Sequence, residues 1–520
     1  MPGHTPPTVT DRRRWISLGG ICAAAGMVWL AFADMGVAIP TIADELHADM
    51  GELQWANNAF SLVTGALVIA AGKFGDVFGR RRMLLLGVLA FGGFSIIAAL
   101  AQNTPALIIG RGLTGIGAAL ILPATLALIP PQFSGAQLLT AFGVWQAVAW
   151  GGQAVGPAIG GVITDTLGWQ WLFWINLPLA AVTFVVIRRL TPESSDPDAS
   201  STVDWPGLIT IGLAVFALLY ALTAGPSAGW GSPLVVGMLV AAVLLAVAWC
   251  MIELRVKEPL VDFRLFRLRD FDGALTANLT MNLAFAGLSY LLVLWLQNVR
   301  GFDAITAGLL MLPSTVGIFC MIPLGGRMDA RYGSRLPVLI GLVVMSAGLL
   351  VLGTTSRDSS LWLMALGLVV VGVGLGLLST PISNTAVGNV PQDLAGTAAG
   401  VFKMSSMVGG AIGVAVISAL GRGLSQGEWA SAAAGAGLGP EDMSDLQGAL
   451  VNSTSFSDAL AGLPADLQQR VTEAVMTAFS NGVGDAMVVT GILSLVVTVV
   501  VLLLWPRHRP GDTTEGPTHD

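Results

Sequence analysis

Charge is what this 520-residue chain has least of. Asp, Glu, Lys and Arg together make up 11% of it, and only three residues are tyrosine. Soluble globular chains carry about 25% charged residues, so an ordinary water-soluble domain is excluded. The net charge of −7 therefore says little about partners, because so few charges are spread over so long a chain. Cys22, Cys250 and Cys320 lie far apart in apolar runs. That odd, scattered set gives neither a disulfide framework nor a metal cluster. Histidines 4, 47, 508 and 519 all fall outside apolar segments. A phosphate-binding glycine loop, metal-ligand spacing and a nucleophile elbow are all missing, which excludes nucleotide-driven work and hydrolase chemistry of those types. No nucleic-acid partner, metal or cofactor is expected.

What the chain has in abundance is apolar sequence. Hydrophobic residues reach 54%, with mean hydropathy +0.76. A run of about 20 apolar residues spans a bilayer as a helix. About fourteen such runs are expected, near 16–40, 52–72, 83–101, 105–126, 138–164, 170–189, 204–224, 233–253, 271–296, 303–326, 336–354, 360–380, 394–420 and 483–505. Arg12, Arg13 and Arg14 ahead of the first run, with Ala31 and Ala33 inside it, imitate a signal peptide. The run continues past that point to Ile39, so it reads as a retained membrane helix. With the N-terminus in the cytoplasm, nineteen of the basic residues fall inside and only Arg300, Arg357, Arg422 and Arg470 outside. That bias makes the helix count even and puts both termini in the cytoplasm of a multi-pass cell-membrane protein. The excess of arginine over lysine accords with a GC-rich bacterial genome.

The expected organisation is a six-helix half over 1–190, then a segment 191–270 with two extra helices. A second six-helix half over 271–505 follows, with a long outer loop over 421–482, and a cytoplasmic tail closes the chain over 506–520. Within that loop, Pro464–Phe479 reads as a short amphipathic helix lying over the last membrane helix.

Several local patterns carry chemistry. Gly152, Gly156, Pro157, Gly160 and Gly161 form G-x-x-x-G-P-x-x-G-G. Glycines four apart bare one helix face for close approach of a neighbour, and the proline removes a donor and is expected to bend the helix. Gly72, Asp76, Gly79, Arg80 and Arg81 lie in a basic turn between helices two and three. Asp76 can pair there with an arginine and accept helix-terminal donors. A weaker copy, Gly325 to Gly333, has Asp329 one residue early. Arg111 opens R-x-x-x-G-x-G-A-A on helix four and either faces a buried partner or snorkels. Asp34 is an acid well inside a membrane helix, either a proton site or the ion-pair partner of Arg111. Lys403 either snorkels to the cytoplasm or faces a cavity. Asn278 and Asn282 share a face and suit helix cross-linking. Trp29, Trp145 and Trp150 lie at mid-membrane, lining an aromatic cavity for amphiphilic or cationic solutes or packing on lipid.

Together these motifs resemble those of the 14-helix drug:H+ antiporter family of the major facilitator superfamily. The glycine–proline pattern resembles its antiporter motif, and Gly72–Arg81 resembles the superfamily loop signature, with Val77 at a position usually basic. Helix one is similar to the family's D-x-T-x-x-N-V-A-L-P. Aligned on Val37–Pro40, it puts Ala31 where the family has aspartate, with Asp34 one helical turn later. The resemblance implies an all-α integral membrane protein of two six-helix halves plus two central helices. It implies a monomeric, non-enzymatic exporter in which Asp34 and Arg111 couple protons, Gly72–Arg81 gate the cytoplasmic side, and drug-like solutes cross between the halves. A dedicated exporter of one metabolite, lipid or antibiotic is the alternative, and a non-transporting membrane sensor or scaffold is a reading of another class.

Overall fold

The computed structural model describes residues 11–48, 50–195, 204–256, 261, 263–435 and 465–505. Among them the chain is all helix and turn, without a strand. Its helices are α1 (Asp11–Ala33), α2 (Met35–Leu46), α3 (Met50–Phe78), α4 (Arg80–Ala99), α5 (Thr104–Ala127), α6 (Gly135–Leu167), α7 (Trp171–Trp174), α8 (Asn176–Leu190), α9 (Trp205–Ala228) and α10 (Pro233–Glu253). They continue with α11 (Arg269–Asn298), α12 (Ala304–Leu309), α13 (Leu312–Tyr332), α14 (Arg335–Gly353), α15 (Leu361–Ser383), α16 (Ala395–Gly435) and α17 (Ala465–Leu504).

Thirteen helical stretches among the described residues are long and apolar enough to cross a membrane. The expected span at 138–164 is α6, 33 residues long but less apolar than its neighbours. Gln146, Gln153 and the glycine ladder dilute its hydropathy. Leucine and valine side chains of α8, α10 and α17 are left exposed on the outside of the bundle, as lipid contact requires.

Helices α4, α5 and α3 pack together, and α6 packs on α1; α13, α14 and α15 form a matching group, as do α11, α16 and α17. Two seams join these groups, α3 with α16 and α6 with α13. Small residues make the close approaches possible. A side chain on Gly72 would run into the Gly396 carbonyl, and one on Gly325 into that of Leu377. Helix α9 pairs with α10 and also packs on α3 and α16, and Tyr220 stacks on Trp55 at 4.9 Å.

Two expectations change. Segment 421–482 is not a simple loop: α16 runs on to Gly435 and α17 begins at Ala465. The amphipathic stretch near 464–479 is therefore continuous with the last membrane helix and does not lie over it. Residues 436–464 and the tail 506–520 fall outside the described residues, as do Glu441, Asp442, Asp445 and Asp458. The second change concerns helix one, which is interrupted at Asp34 and continues as α2 to Leu46.

Candidate functional site

Between the helix groups lies a cavity of about 760 Å³. Its walls come from α1, α3, α6, α9, α11 and α16, with single residues from α2 and α5. On α6 the lining residues are Gln146, Ala149, Trp150 and Gln153, a spacing of three, one and three that marks one helix face. On α11, Asn278, Met281, Asn282, Phe285 and Ser289 repeat the pattern. Leu219, Leu222 and Thr223 show that the first of the extra helices also contributes to the wall.

The candidate cavity residues divide. Trp29, Trp150, Asn278, Asn282 and Lys403 line the space, whereas Trp145 lies behind it, fully buried. Lys403 does not snorkel. It is 4% exposed, with Nζ 4.5 Å from the Trp145 ring centre, 5.2 Å from Phe402 and 5.3 Å from Trp29. Electron-rich ring faces stabilise an ammonium by about 0.5–2 kcal/mol at such distances. Asn278 anchors the helix carrying it: its amide nitrogen lies within 3.0 Å of the Phe402 carbonyl and of the Ser405 and Ser406 hydroxyls. Asn282 donates back to the Asn278 carbonyl at 2.8 Å. Trp150 donates to Ser379 Oγ at 3.2 Å and stands edge-on to Phe285.

Asp34 and Arg111 form a second, separate site that does not line the cavity. Arg111 is 1% exposed and does not snorkel. One of its Nη atoms donates to the Ala31 carbonyl and to Asn57 Oδ1, both at 2.9 Å, and the guanidinium lies over the Phe60 ring at 4.5 Å. Asp34, 4% exposed, is not within 4 Å of that guanidinium, and its Oδ1 has no hydrogen-bond partner. The two charges act on each other through space only. The expected direct ion pair is thus absent from this conformation: Arg111 takes the backbone carbonyl of Ala31 instead of a carboxylate. Asn57 touches both Arg111 and the cavity, linking the two sites.

The glycine ladder of α6 packs on this site. Side chains added at Gly152, Gly156, Gly160 and Gly161 would meet Trp29 at 3.1 Å, Ala33 Cβ at 2.5 Å, the Asp34 carbonyl at 2.5 Å and Val37 at 3.6 Å, one after another along α1 and α2. Gly160 thus lies against the interruption at Asp34. Helix α6 itself runs unbroken through Pro157. The break falls in the partner helix.

At the far end of α3 the turn residues make a third cluster. Asp76 is buried and accepts from Arg80 Nε at 3.1 Å and Nη2 at 2.8 Å. It also accepts from Gly396 N at 2.8 Å, Thr397 N at 2.7 Å and Thr397 Oγ1 at 2.9 Å. Free N–H groups and the dipole at the start of α16 favour a carboxylate there. Arg80 also bonds the Gln392 carbonyl and, at 3.0 Å, Ser194 Oγ. Gly79 has φ +102° and leaves room for Glu193, which takes the Arg81 N–H at 2.9 Å. Asp76 and Arg80 were readable from spacing. Gly396 and Thr397 were not, since they lie 320 residues away in a segment without a motif. Gln146, Gln153 and Ser406 of the cavity were also missed, though polar residues at helical spacing in an apolar segment are a usable signal.

Comparisons with known proteins agree with this geometry. Residues 16–414 match the family model described as Major Facilitator Superfamily. The tetracenomycin C resistance and export protein of Streptomyces glaucescens is 30% identical over 504 residues, 96% of this chain and 93% of that one. The multidrug resistance protein Stp of Mycobacterium tuberculosis (strain CDC 1551 / Oshkosh) is 34% identical over 396 residues, 76% of this chain and 73% of that one. The quinolone resistance protein NorB of Staphylococcus aureus (strain MRSA252) is 30% identical over 404 residues, covering 77% and 87%. The crystal structure of the human organic anion transporter MFSD10 (TETRAN) shares the fold at TM-score 0.62 and 15% identity, covering 96% of this chain and all of that one. A bundle of membrane-length helices around a central cavity, a buried loop motif that ties the end of α3 to the start of α16, and a family match across most of its length place this chain in the major facilitator superfamily.

Proposed function

We propose that the protein exports drug-like amphiphilic compounds across the cell membrane by alternating access, in exchange for protons. The observation that carries the export reading is the cavity between helix groups, sealed at one end by the Asp76–Arg80–α16 cluster. The cavity lining on α3 ends at Leu62, and Asp76 lies 14 residues further along, roughly 21 Å at 1.5 Å per residue. Opening that seal and closing the other end moves a bound solute from one side to the other. The relatives named for resistance or export support the substrate class. With the arginine-rich turns facing the cytoplasm, the state seen is closed inward. The transporter works as a single chain, its halves being 1–190 and 271–505 with α9 and α10 between them.

Asp34 is the proton site of this reading. A charged carboxylate inside a bilayer helix costs at least ~2.5 kcal/mol, and Asp34 has an unpartnered oxygen to show for it. Protonation removes that cost and ends the through-space attraction of Asp34 for Arg111, whose bond to Asn57 reaches the cavity wall. Each proton moved down a 100 mV potential supplies ~2.3 kcal/mol. In everted membrane vesicles with an imposed pH gradient, wild-type protein should accumulate fluorescent amphiphiles. Asp34→Asn should lower the gradient-driven rate at least tenfold with insertion and folding intact. A variant that transports at the wild-type rate would remove Asp34 from proton coupling. A single-antibiotic exporter is the second reading, favoured by the tetracenomycin C relative that matches almost end to end; a transported set of one compound would establish it.

A further inference from the structure

No carboxylate among the described residues lines the cavity. Among its lining residues, Lys403 is the one side chain with a formal charge, accompanied by the amides of Gln54, Asn57, Asn58, Gln146 and Gln153. Multi-aromatic walls suggest a cation site at first sight, but here the ring faces of Trp29 and Trp145 are already occupied by the protein's own ammonium. No carboxylate of the described residues lies within 4 Å of Lys403. The buried acid Asp34 does not line the cavity and is under the influence of Arg111. Two further donors are unmet at the same cluster: the indole N–H groups of Trp29 and Trp145 are buried and have no acceptor. Buried polar groups are ordinarily satisfied, so an ammonium without an anion beside two orphan N–H donors is a set short of an acceptor.

Lys403 also lies at the closed end of the cavity. It is six residues after Thr397 on α16, roughly 9 Å along the helix axis, just above the seal.

We infer that the closed end of the cavity is an anion-recognising subsite, and that it selects aromatic compounds bearing an ionised acid group. The inference rests on the export reading for its biological meaning but concerns binding alone. The acid group pairs with Lys403 while the ring system lies against Trp150, Phe285 and the amide-lined wall. A cation of the same shape meets like charge at this end and finds no carboxylate to replace its water. The expectation of cationic substrates is thereby reversed.

An isosteric pair of probes tests this: naphthalene-2-sulfonate and 2-naphthyltrimethylammonium, both permanently charged. Binding is measured by titration calorimetry on the full chain in phosphatidylcholine nanodiscs, which keep anionic lipid headgroups out of the measurement. Wild-type protein should bind the sulfonate at least tenfold more tightly than the ammonium. Lys403→Met should weaken sulfonate binding at least tenfold and leave the ammonium no weaker, while Lys403→Arg keeps the preference for the anion. Equal or reversed preference in the wild type overturns the inference without any variant having to fold. So does a folded Lys403→Met protein that binds the sulfonate unchanged. Absence of gradient-driven transport of any compound would sink the export reading and leave this preference standing.

Discussion

Two buried aspartates occupy similar places in the two halves and do different jobs. Asp76, near the end of α3, holds Arg80 and three donors at the start of α16, which belongs to the opposite half. Asp329, near the end of α13, accepts from Ser334 at 2.7 Å and from Asn384 at 3.1 Å, both in its own half. The seam beside Asp76 is therefore fastened by charge. The other seam, between α6 and α13, meets through Gly143 against Ile322 and Gly151 against Phe319, with no ion pair among the described residues. An ion-fastened seam opens by breaking specific bonds; an apolar one slides. In the proposed export cycle the first seam is the latch and the second the bearing, held among the described residues only by neutral bonds such as that of Trp150 to Ser379.

Removing the latch charge should have the largest effect. Asp76→Asn leaves Arg80 buried without its carboxylate and turns an amide N–H toward the Thr397 donors. Breaking one side of a buried pair costs about 3–5 kcal/mol, and 1.4 kcal/mol is tenfold in an equilibrium. The closed population should fall at least a hundredfold. Spin labels at Phe78 and Gln392, both exposed beside the seal, should report a longer distance. An unchanged distance distribution would make the cluster a structural staple and erase the contrast with Asp329.

How much of this was legible in sequence follows from what each feature depends on. The membrane helices are a property of local composition, and so thirteen of the fourteen expected spans are apolar enough to be read; α6, diluted by its glutamines and glycines, is the one that falls short. Asp76 with Arg80 could be read because both lie on one turn. Its partners on α16 could not, since backbone N–H groups leave no residue signature. Lys403 was ambiguous for a physical reason: helix α16 is apolar on all faces, so periodicity cannot tell cavity from lipid. Asp34 was identifiable by depth, but the interruption of the helix there was not, because hydropathy runs smoothly across it. The continuation of α16 and α17 was hidden for the opposite reason: both helices run on through polar sequence, over 421–435 and 465–482, where hydropathy falls away.

A smaller, more discriminating effect is expected from paired glycine substitutions. Gly72→Ala pushes a methyl into Gly396 of the opposite half, and Gly325→Ala pushes one into Leu377 within its own half. Overpacking costs about 1–3 kcal/mol in either place. At Gly72 the strain is relieved by opening the seam, so the Phe78–Gln392 distance should lengthen with little loss of thermal stability. At Gly325 it has no such outlet, so the melting temperature should fall with that distance unchanged. If both variants simply melted earlier, the α3–α16 seam would be as fixed as the α13–α15 contact, and it would not be the moving interface.

Asp329→Asn should do least. Asp329 has no cation within 4 Å among the described residues, so its replacement strands no buried charge. The new amide keeps one oxygen for the Ser334 hydroxyl, and Asn384 can rotate to present its own oxygen to the new N–H. The net cost is then of the order of one neutral hydrogen bond, about 0.5–1.5 kcal/mol, and it falls inside one half. The closed population should shift less than tenfold, against a hundredfold at Asp76, and the vesicle transport rate should stay within a factor of a few of wild type. A loss of transport equal to that of Asp76→Asn, in a protein that still folds, would show that Asp329 also governs a seam. The neutral partners seen in this conformation would then belong to one half of its working cycle, with a cation taking their place in the other.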